Sequence, residues 1–364
     1  MYNIMILSKG IVFIMALFLI AGGLDKIAGN RLGLGQEFEN GFHALGPLSL
    51  TMAGITSLSP LLSGWLSGVV GPLAAKAGIN PAMAPALMIP VDTGCYPLAH
   101  AMTPDGLMAD FASLIVASML AASVTFSVPV ALSIIRKEDY GSMAMGTMAG
   151  LIALPAGCLA GGLLLGLPVD MVLLNLLPVI GAALVLAAGL FWFPDQTIRF
   201  FVLFGRGVVV VITLALITAA AQEITGITVV KGMAPLKDSF IILGSIAVML
   251  SGAYPMMAVI RRYLKGPLGR AGRYLGVNET AMAGFLSTLA NNVPMMAMVK
   301  DMDERGKVLN FAFATCAAFT LGDHLGFCSA VAPERIGAMV CGKLAGGVAA
   351  VGVALWLVRE RRGS

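Results

Sequence analysis

Apolar runs of roughly twenty residues, the length that spans a bilayer as a helix, recur along the whole chain. Nine runs fit this pattern, and we predict a transmembrane helix near each of residues 4–24, 44–66, 107–134, 142–165, 169–192, 200–223, 239–260, 308–330 and 335–358. The 364 residues are 58% hydrophobic and only 12% charged, well below the charged share of a soluble domain. The sequence therefore predicts an all-α polytopic membrane protein and excludes a water-soluble one.

Two further segments, 79–100 and 279–300, are apolar but interrupted. The interrupting residues are Pro81, Pro85, Pro90, Gly94 and Pro97 in the first, and Asn291, Asn292 and Pro294 in the second. If both segments crossed the membrane, the twenty Lys and Arg residues of the loops would divide equally between its two sides. If both are re-entrant hairpins, sixteen lie on one side and four on the other. Since Lys and Arg concentrate in cytoplasmic loops, we predict two hairpins, an N-terminus outside and a C-terminus in the cytoplasm.

A weak internal repeat agrees with the hairpins. Residues 57–60 resemble 252–255, and residues 79–80 resemble 277–278, at offsets of 195 to 198 positions. The helix at 239–260 is then the fifth crossing after the one at 44–66, and an odd number implies inverted topology, which is common among transporters. We predict a single transmembrane domain over residues 1–364. Its parts are repeat one at about 44–134, linking helices at about 142–223, repeat two at about 239–331 and a last helix at 335–358.

The hairpin tips are the first candidate site, because irregular backbone at membrane depth is tolerated only where it is buried in protein or lines a cavity. The first tip reads PVDTGCYP (90–97) and contains Asp92 and Thr93, while the second reads TLANNVP (288–294). An intramembrane carboxylate such as Asp92 indicates contact with a cationic solute, and the alternative is a structural cap of the hairpin. Asn291 and Asn292 suit a solute with both an amine and a hydroxyl, or else cap the helix break. Thr288 is a further hydroxyl near this tip.

A second group of candidates lies in the motif LGDHLGF (321–327). Asp323 could face the cation, or it could form a structural ion pair with Lys343 of the following helix, which would leave Asp92 as the free counter-ion. His324 could relay protons or hydrogen-bond between helices. Thr125, near the repeat equivalent of Asp323, could line the same cavity or bond back to its own helix.

Motifs of other functional classes are absent from the sequence. It contains no P-loop, no HExxH metal pair and no GxSxG nucleophile, and its five cysteines lie in apolar segments without metal-ligand spacing. The basic residues are distributed by membrane side and do not gather into a surface for nucleic acid. We therefore predict no enzyme activity, no cofactor, no metal and no nucleic-acid partner, and the lipid bilayer as the surroundings.

Several stretches together resemble the EutH family, the ethanolamine-utilisation membrane proteins. They are EFENGFHALGPLSLTMAGITSLSP (37–60), INPAM with VDTG (79–94), GAYPM (252–256), STLANNVPM (287–295), RGKVLNFAFA (305–314) and LGDHLGF (321–327). The resemblance covers nearly the whole chain, and the combination of TLANN with GDHLGF is specific. It implies a multi-pass protein of the bacterial inner membrane that admits ethanolamine, especially its protonated form.

The residues and the resemblance together predict an ethanolamine permease that works by uniport or facilitated diffusion. Asp92 or Asp323 would face the ammonium group, and Asn291, Asn292 and nearby hydroxyls would bind the alcohol. Two alternatives stay open at this point: a sodium- or proton-coupled symporter of another small amine or amino acid, and a non-transporting membrane scaffold or intramembrane enzyme built around Asp323 and His324. The sequence also leaves open whether the protein forms a homodimer.

Overall fold

The computed structural model describes residues 2–363, and it describes the side chains of residues 4–264 and 272–359. Within that part of the chain every regular element is helical. Eight helical stretches are long and apolar enough to cross a membrane: Ile4–Ile27, Leu34–Ala77, Gly106–Ile134, Lys137–Leu165, Val169–Trp192, Pro194–Thr225, Leu236–Leu264 and Pro333–Arg359. The prediction of an all-α polytopic membrane protein is confirmed. Four of the basic residues in the charge count, Lys265, Arg270, Arg361 and Arg362, lie outside the described side chains.

Seventeen α-helices follow one another along the described chain. They are α1 (Tyr2–Ile27), α2 (Leu34–His43), α3 (Leu45–Ala77), α4 (Met83–Ala86), α5 (Cys95–Met102), α6 (Gly106–Asp110), α7 (Leu120–Ala122), α8 (Val128–Ile134), α9 (Tyr140–Leu165), α10 (Val169–Trp192), α11 (Pro194–Thr225), α12 (Leu236–Leu275), α13 (Glu279–Ala290), α14 (Asn292–Met298), α15 (Glu304–Ala317), α16 (Asp323–Val331) and α17 (Ile336–Gly363).

Each interrupted segment returns to the place where it began. In the first, the Asn80 side-chain amide donates to Thr103 Oγ1 at 3.0 Å, so the two ends of the segment touch. In the second, Asn278 Nδ2 donates to the Asp301 carbonyl at 2.9 Å. The first segment, which we call hairpin 1, contains α4 and α5; the second, hairpin 2, contains α13 and α14. Contact between the two ends of each segment is the geometry of a re-entrant hairpin, in which the chain enters and leaves on one face.

The bases of the two hairpins are built alike. Gly78 and Gly276, which end α3 and α12, have φ angles of 67° and 65°, a left-handed conformation that glycine adopts without strain. Asp105 caps α6 through the backbone amides of residues 107 and 108, and Asp303 caps α15 through the amide of Gly306. Each equivalent pair is 198 positions apart in the sequence. Five of the stretches able to cross a membrane lie between the two hairpins, and an odd number of crossings would place the hairpins on opposite faces, as the predicted inverted repeat requires.

The segment that follows each hairpin is a broken helix. After hairpin 1, two π-helical stretches interrupt Gly106–Ile134, and the chain turns at Ser118. After hairpin 2, the predicted continuous helix at 308–330 is wrong, because α15 ends at Ala317 and α16 begins at Asp323.

The second break has a clear physical reason. Backbone amides of the break turn outward and donate to hairpin 2: Phe319 to the Thr288 carbonyl at 3.0 Å and Leu321 to the Leu289 carbonyl at 2.8 Å. A β-carbon on Gly322 would lie 2.0 Å from the Ala290 carbonyl oxygen, so only glycine permits this approach. Hydrogen bonds to the hairpin thus replace the helical hydrogen bonds that are lost at the break. Such replacement is required because backbone polar groups in an apolar environment must have partners.

Small residues hold the helices in two closely packed groups. In one, Gly157 and Gly161 of α9 face Gly342 and Gly346 of α17, and a β-carbon on Gly157 would lie 2.7 Å from the Gly346 α-carbon. In the other, α2 lies against α12 at Gly41. We call the first group, with the broken helices, the core group, and the second, with α1 and α3, the flank group. The hairpin tips lie where the two groups meet.

Candidate functional site

A cavity of ≈ 350 Å³ lies where the tips of both hairpins and both helix breaks face the flank group. It is lined by Asn40, Ala44, Pro47, Leu48, Thr51, Pro90, Asp92, Thr93, Ala122, Phe126, Tyr254, Asn291, Phe319, Asp323 and His324. Five of the eight candidates from the sequence, Asp92, Thr93, Asn291, Asp323 and His324, therefore meet in one place. We call it the central cavity.

The tip of hairpin 1 presents Asp92 to the central cavity. Asp92 lies in a single 3₁₀ turn between Pro90 and Gly94, and Gly94 has a φ angle of 118°. A β-carbon on Gly94 would come within 1.8 Å of the Ile55 side chain, so the tip lies directly on α3. None of the hydrogen bonds or ion pairs between described side chains involves the Asp92 carboxylate. A carboxylate that lines a cavity without a side-chain donor is available to a solute.

The tip of hairpin 2 contributes Asn291. Its backbone is extended between α13 and α14, and its Oδ1 accepts from the Val293 amide at 2.9 Å, so it caps α14 as the structural alternative proposed. Its Nδ2 has no hydrogen-bond partner among the described residues and can donate to a solute. Asn292 and Thr288 are fully buried and do not line it. Asn292 Nδ2 donates instead to Ser127 Oγ at 2.7 Å, which ties the tip to the first broken helix.

Asp323 is the first residue of α16, at the second helix break. Its Oδ1 accepts from the Tyr254 hydroxyl of α12 at 2.6 Å, a short hydrogen bond of the charge-assisted kind. The structure does not pair Asp323 with Lys343. Lys343, which is fully buried, donates at 2.6 Å to the carbonyl of Ser118, the residue at the first helix break. Asp323 thus keeps its second oxygen for the cavity.

The remaining candidates have different surroundings. His324 is 2% exposed and lines the central cavity, with its ring centroid 5.2 Å from that of Phe319. Thr125 does not line the cavity, because its hydroxyl donates to the Ala121 carbonyl of its own helix at 2.8 Å. The neighbouring Phe126 does line it and meets Phe319 edge to face at 5.7 Å.

Sequence reasoning missed part of the lining. Thr51 and Tyr254 come from α3 and α12, whose apolar patterns indicate ordinary transmembrane helices, and Asn40 comes from α2, a polar segment before the helix predicted at 44–66. The available signal was a polar side chain inside an apolar helix, which usually faces the protein interior or a cavity. Only the hydrogen bond to Asp323 distinguishes Tyr254 from other interfacial tyrosines. The two residues are 69 positions apart in the sequence, so their pairing cannot be read from a local pattern.

The charges of the central cavity favour a cation. Its lining has two carboxylates, Asp92 and Asp323, and no Lys or Arg among the described residues. Aromatic rings of Phe126, Phe319 and Tyr254 add surfaces that attract cations through their π faces. Asn291 and Thr51 offer neutral hydrogen-bonding groups at the same cavity. The arrangement suits a small solute with a positive charge and a polar group.

The fold and the cavity define a class of protein: a multi-pass membrane protein with a buried polar cavity between two re-entrant hairpins. Comparison with known sequences gives the family. The chain matches "Ethanolamine utilisation protein, EutH" over residues 7–357, and it belongs to this family.

Relatives cover nearly the full length of the chain. It is 44% identical to "Probable ethanolamine permease EutH" of Listeria monocytogenes, over 98% of this chain and 95% of that protein. It is 37% identical to the protein of the same name from Salmonella typhimurium, over 97% and 96% of the two chains. It is 41% identical to "Uncharacterized protein YxeR" of Bacillus subtilis, over 97% and 95%. No solved structure matches the chain.

Proposed function

We propose that this protein carries protonated ethanolamine across the bacterial inner membrane by facilitated diffusion, with the N-terminus outside and the C-terminus in the cytoplasm. The observation that carries the proposal is the pair of carboxylates, Asp92 and Asp323, in one cavity whose described lining has no Lys or Arg side chain. The names of the relatives from Listeria and Salmonella support ethanolamine as the solute.

The chemistry of ethanolamine fits the lining of the central cavity. Its ammonium group would lie between Asp92 and the free oxygen of Asp323, and its hydroxyl would bond with the Asn291 amide or the Thr93 hydroxyl. The cavity volume of ≈ 350 Å³ far exceeds a solute of four heavy atoms, so water would share the cavity in this conformation. Closure around the solute would then need the tips to approach the flank group.

The membrane potential is a sufficient driving force for such a solute. A single positive charge gains about 2.3 kcal/mol per 100 mV on moving to the negative side. No coupling ion is needed on energetic grounds. We propose alternating access, in which the core group moves against the flank group with the central cavity at their boundary.

The test is uptake of labelled ethanolamine into proteoliposomes with an imposed inside-negative potential and no sodium. We expect saturable uptake by the wild-type protein and a loss of about tenfold or more in Asp92→Asn, because a hydrogen bond to a charged group contributes roughly 1.5–3 kcal/mol. Asp170→Asn is the matched control, since Asp170 is exposed at the start of α10 and lies outside the cavity.

The outcomes separate the alternatives. Unchanged uptake in Asp92→Asn, with a loss in Asp323→Asn, would move the counter-ion role to Asp323. Uptake that appears only when sodium or a proton gradient is added would replace facilitated diffusion by symport. Absence of uptake under every gradient would refute transport and favour a scaffold.

A further inference from the structure

A second cavity, of ≈ 390 Å³, adjoins the central cavity. Both are lined by Asn40, Tyr254 and Asn291, so the two spaces meet at these side chains. The second cavity, here called the vestibule, is lined by Glu37, Asn40, Tyr254, Met257, Arg261, Ala290, Asn291, Val293 and Pro294. It lies toward the face where α2 begins and where hairpin 2 enters. A solute that leaves the central cavity toward this face passes through the vestibule.

The vestibule has one acidic and one basic side chain among its described lining residues. Arg261 Nη2 donates to Glu37 Oε1 at 3.0 Å, and Asn40 Nδ2 donates to Glu37 Oε2 at 3.2 Å. The side chains of Arg261 and Glu37 are 39% and 25% exposed, so both reach the space through which a solute would move. The ion pair therefore belongs to the wall of the route.

The ion pair is not needed to hold its two helices together. Glu37 lies on α2 and Arg261 on α12, and these helices already pack closely at Gly41, where a β-carbon would lie 2.3 Å from the Ser251 amide nitrogen. Both charges thus belong to the flank group. The opposite wall of the vestibule is hairpin 2, through Asn291 and Pro294.

For a cation, an unpaired guanidinium on this route would be a barrier, because like charges at close range repel strongly when they are partly desolvated. Glu37 neutralises that charge as long as the pair is intact. A passing ammonium group is, like the guanidinium, a cation that only donates hydrogen bonds, and it would exchange with the guanidinium on the carboxylate. The displaced guanidinium would stay hydrated, because the Arg261 side chain is 39% exposed.

We propose that Glu37 is a second, transient site for the ammonium group of the solute, from which the solute displaces Arg261 on its way between the central cavity and the aqueous face. This inference rests on the proposed function, since it assumes that the transported solute is a cation. Glu37 provides the binding oxygen atoms. Arg261 returns to Glu37 when the solute has left.

The experiment compares potential-driven uptake of labelled ethanolamine by the wild-type protein, Glu37→Gln, Arg261→Gln and the double variant in proteoliposomes. Glu37→Gln leaves Arg261 unpaired, and we expect uptake to fall about tenfold or more. Arg261→Gln leaves Glu37 free to hold the ammonium longer, so we expect a lower KM together with a lower maximal rate. In the double variant neither charge is present, and we expect uptake to return to within about threefold of the wild type.

A neighbouring ion pair provides the matched control. Lys26 and Glu39 form an ion pair on the same face, and Glu39 lines neither cavity. Glu39→Gln removes an acid two residues from Glu37 on the same helix, and we expect uptake within about twofold of the wild type, as for other half-exposed pairs. Binding of ethanolamine to the detergent-solubilised variants checks that the central cavity is intact.

Each result has a definite meaning. A double variant as slow as Glu37→Gln, or an Arg261→Gln that loses uptake without a lower KM, would show a structural pair and overturn the inference. If the wild-type protein transports ethanolamine and all three variants take it up at the same rate, the inference would also be overturned, while the proposed function would stay intact. Absence of uptake by the wild-type protein would refute the proposed function and this inference together.

Discussion

The hydrogen bond between Tyr254 and Asp323 gives a quantitative prediction. The hydroxyl donates to Asp323 Oδ1 at 2.6 Å and restrains the direction of the carboxylate, which lines the central cavity. A hydrogen bond to a charged group contributes about 1.5–3 kcal/mol when nothing replaces it. Water in the cavity can replace this hydroxyl, so for Tyr254→Phe we expect a loss of about 1–1.5 kcal/mol, which weakens ethanolamine binding about 5- to 12-fold.

Removal of the carboxylate itself is expected to cost more. Asp323→Asn deletes the charge that faces the ammonium, and we expect a loss of about 2–3 kcal/mol, or about 30- to 150-fold in Kd. If Tyr254 acts only by orienting Asp323, the hydroxyl has no role once the charge is gone. The double variant should then bind within about twofold of Asp323→Asn, a non-additive result that a double-mutant cycle detects.

The assay is equilibrium binding of radiolabelled ethanolamine to purified protein, measured for the four members of the cycle. Tyr140→Phe is the control, because the Tyr140 hydroxyl donates to the Leu132 carbonyl at 3.1 Å and lies outside the cavity. Additive losses in the double variant would refute the reasoning and would place the Tyr254 hydroxyl on the solute. Unchanged binding in Tyr254→Phe would show that the hydrogen bond orients nothing that the solute needs.

Two further predictions concern stability. Lys343→Met removes the buried side chain that donates to the Ser118 carbonyl at the first helix break. An unpaired buried carbonyl costs roughly 1–3 kcal/mol, so we expect Tm to fall. An unchanged Tm would mean that the break needs no donor. The hydrogen bond that Lys307 donates to Glu304 lowers the pKa of Glu304 from its usual value of 4.5. The ionised Glu304 therefore stabilises the folded protein at pH values above 4.5, and this stabilisation is lost as the pH falls through the lowered pKa. Tm of Glu304→Gln should lie slightly below that of the wild type at pH 7 and converge with it in acid, and a gap that persists in acid would contradict the ionic origin.

The sequence was sufficient for the hairpins because their signals are local or additive. Asn80 and Asn278 follow helix-ending glycines. Prolines interrupt the apolar pattern before the first tip, and Asn291, Asn292 and Pro294 interrupt it at the second. The division of loop charges then distinguishes a hairpin from a full crossing. The interruptions are visible from a few neighbouring residues, and the charge division is a count of Lys and Arg over all loops. Neither requires knowledge of a tertiary contact.

The second helix break and the walls of the site depend on contacts that a single sequence does not reveal. The break at Gly322 is stabilised by hydrogen bonds to hairpin 2, some thirty residues earlier in the chain. The sequence gives no distinction between Asn291 and Asn292 as candidates, yet Asn291 is extended and lines the cavity, while Asn292 begins α14 and donates to Ser127. The direction of a side chain at an irregular turn follows from tertiary packing, which the residue type does not fix.

The two halves of the protein are alike at the hairpin bases but not at the site. The position equivalent to Asp92 in the second half is Ala290, and the position equivalent to Asp323 in the first half is Thr125. The two carboxylates therefore come from non-equivalent places, and no two-fold axis relates them. A carrier built in this way has inward-facing and outward-facing states of unequal free energy. Passive flow must still end at the same equilibrium, but the concentration of half-saturation would differ between the two sides of the membrane.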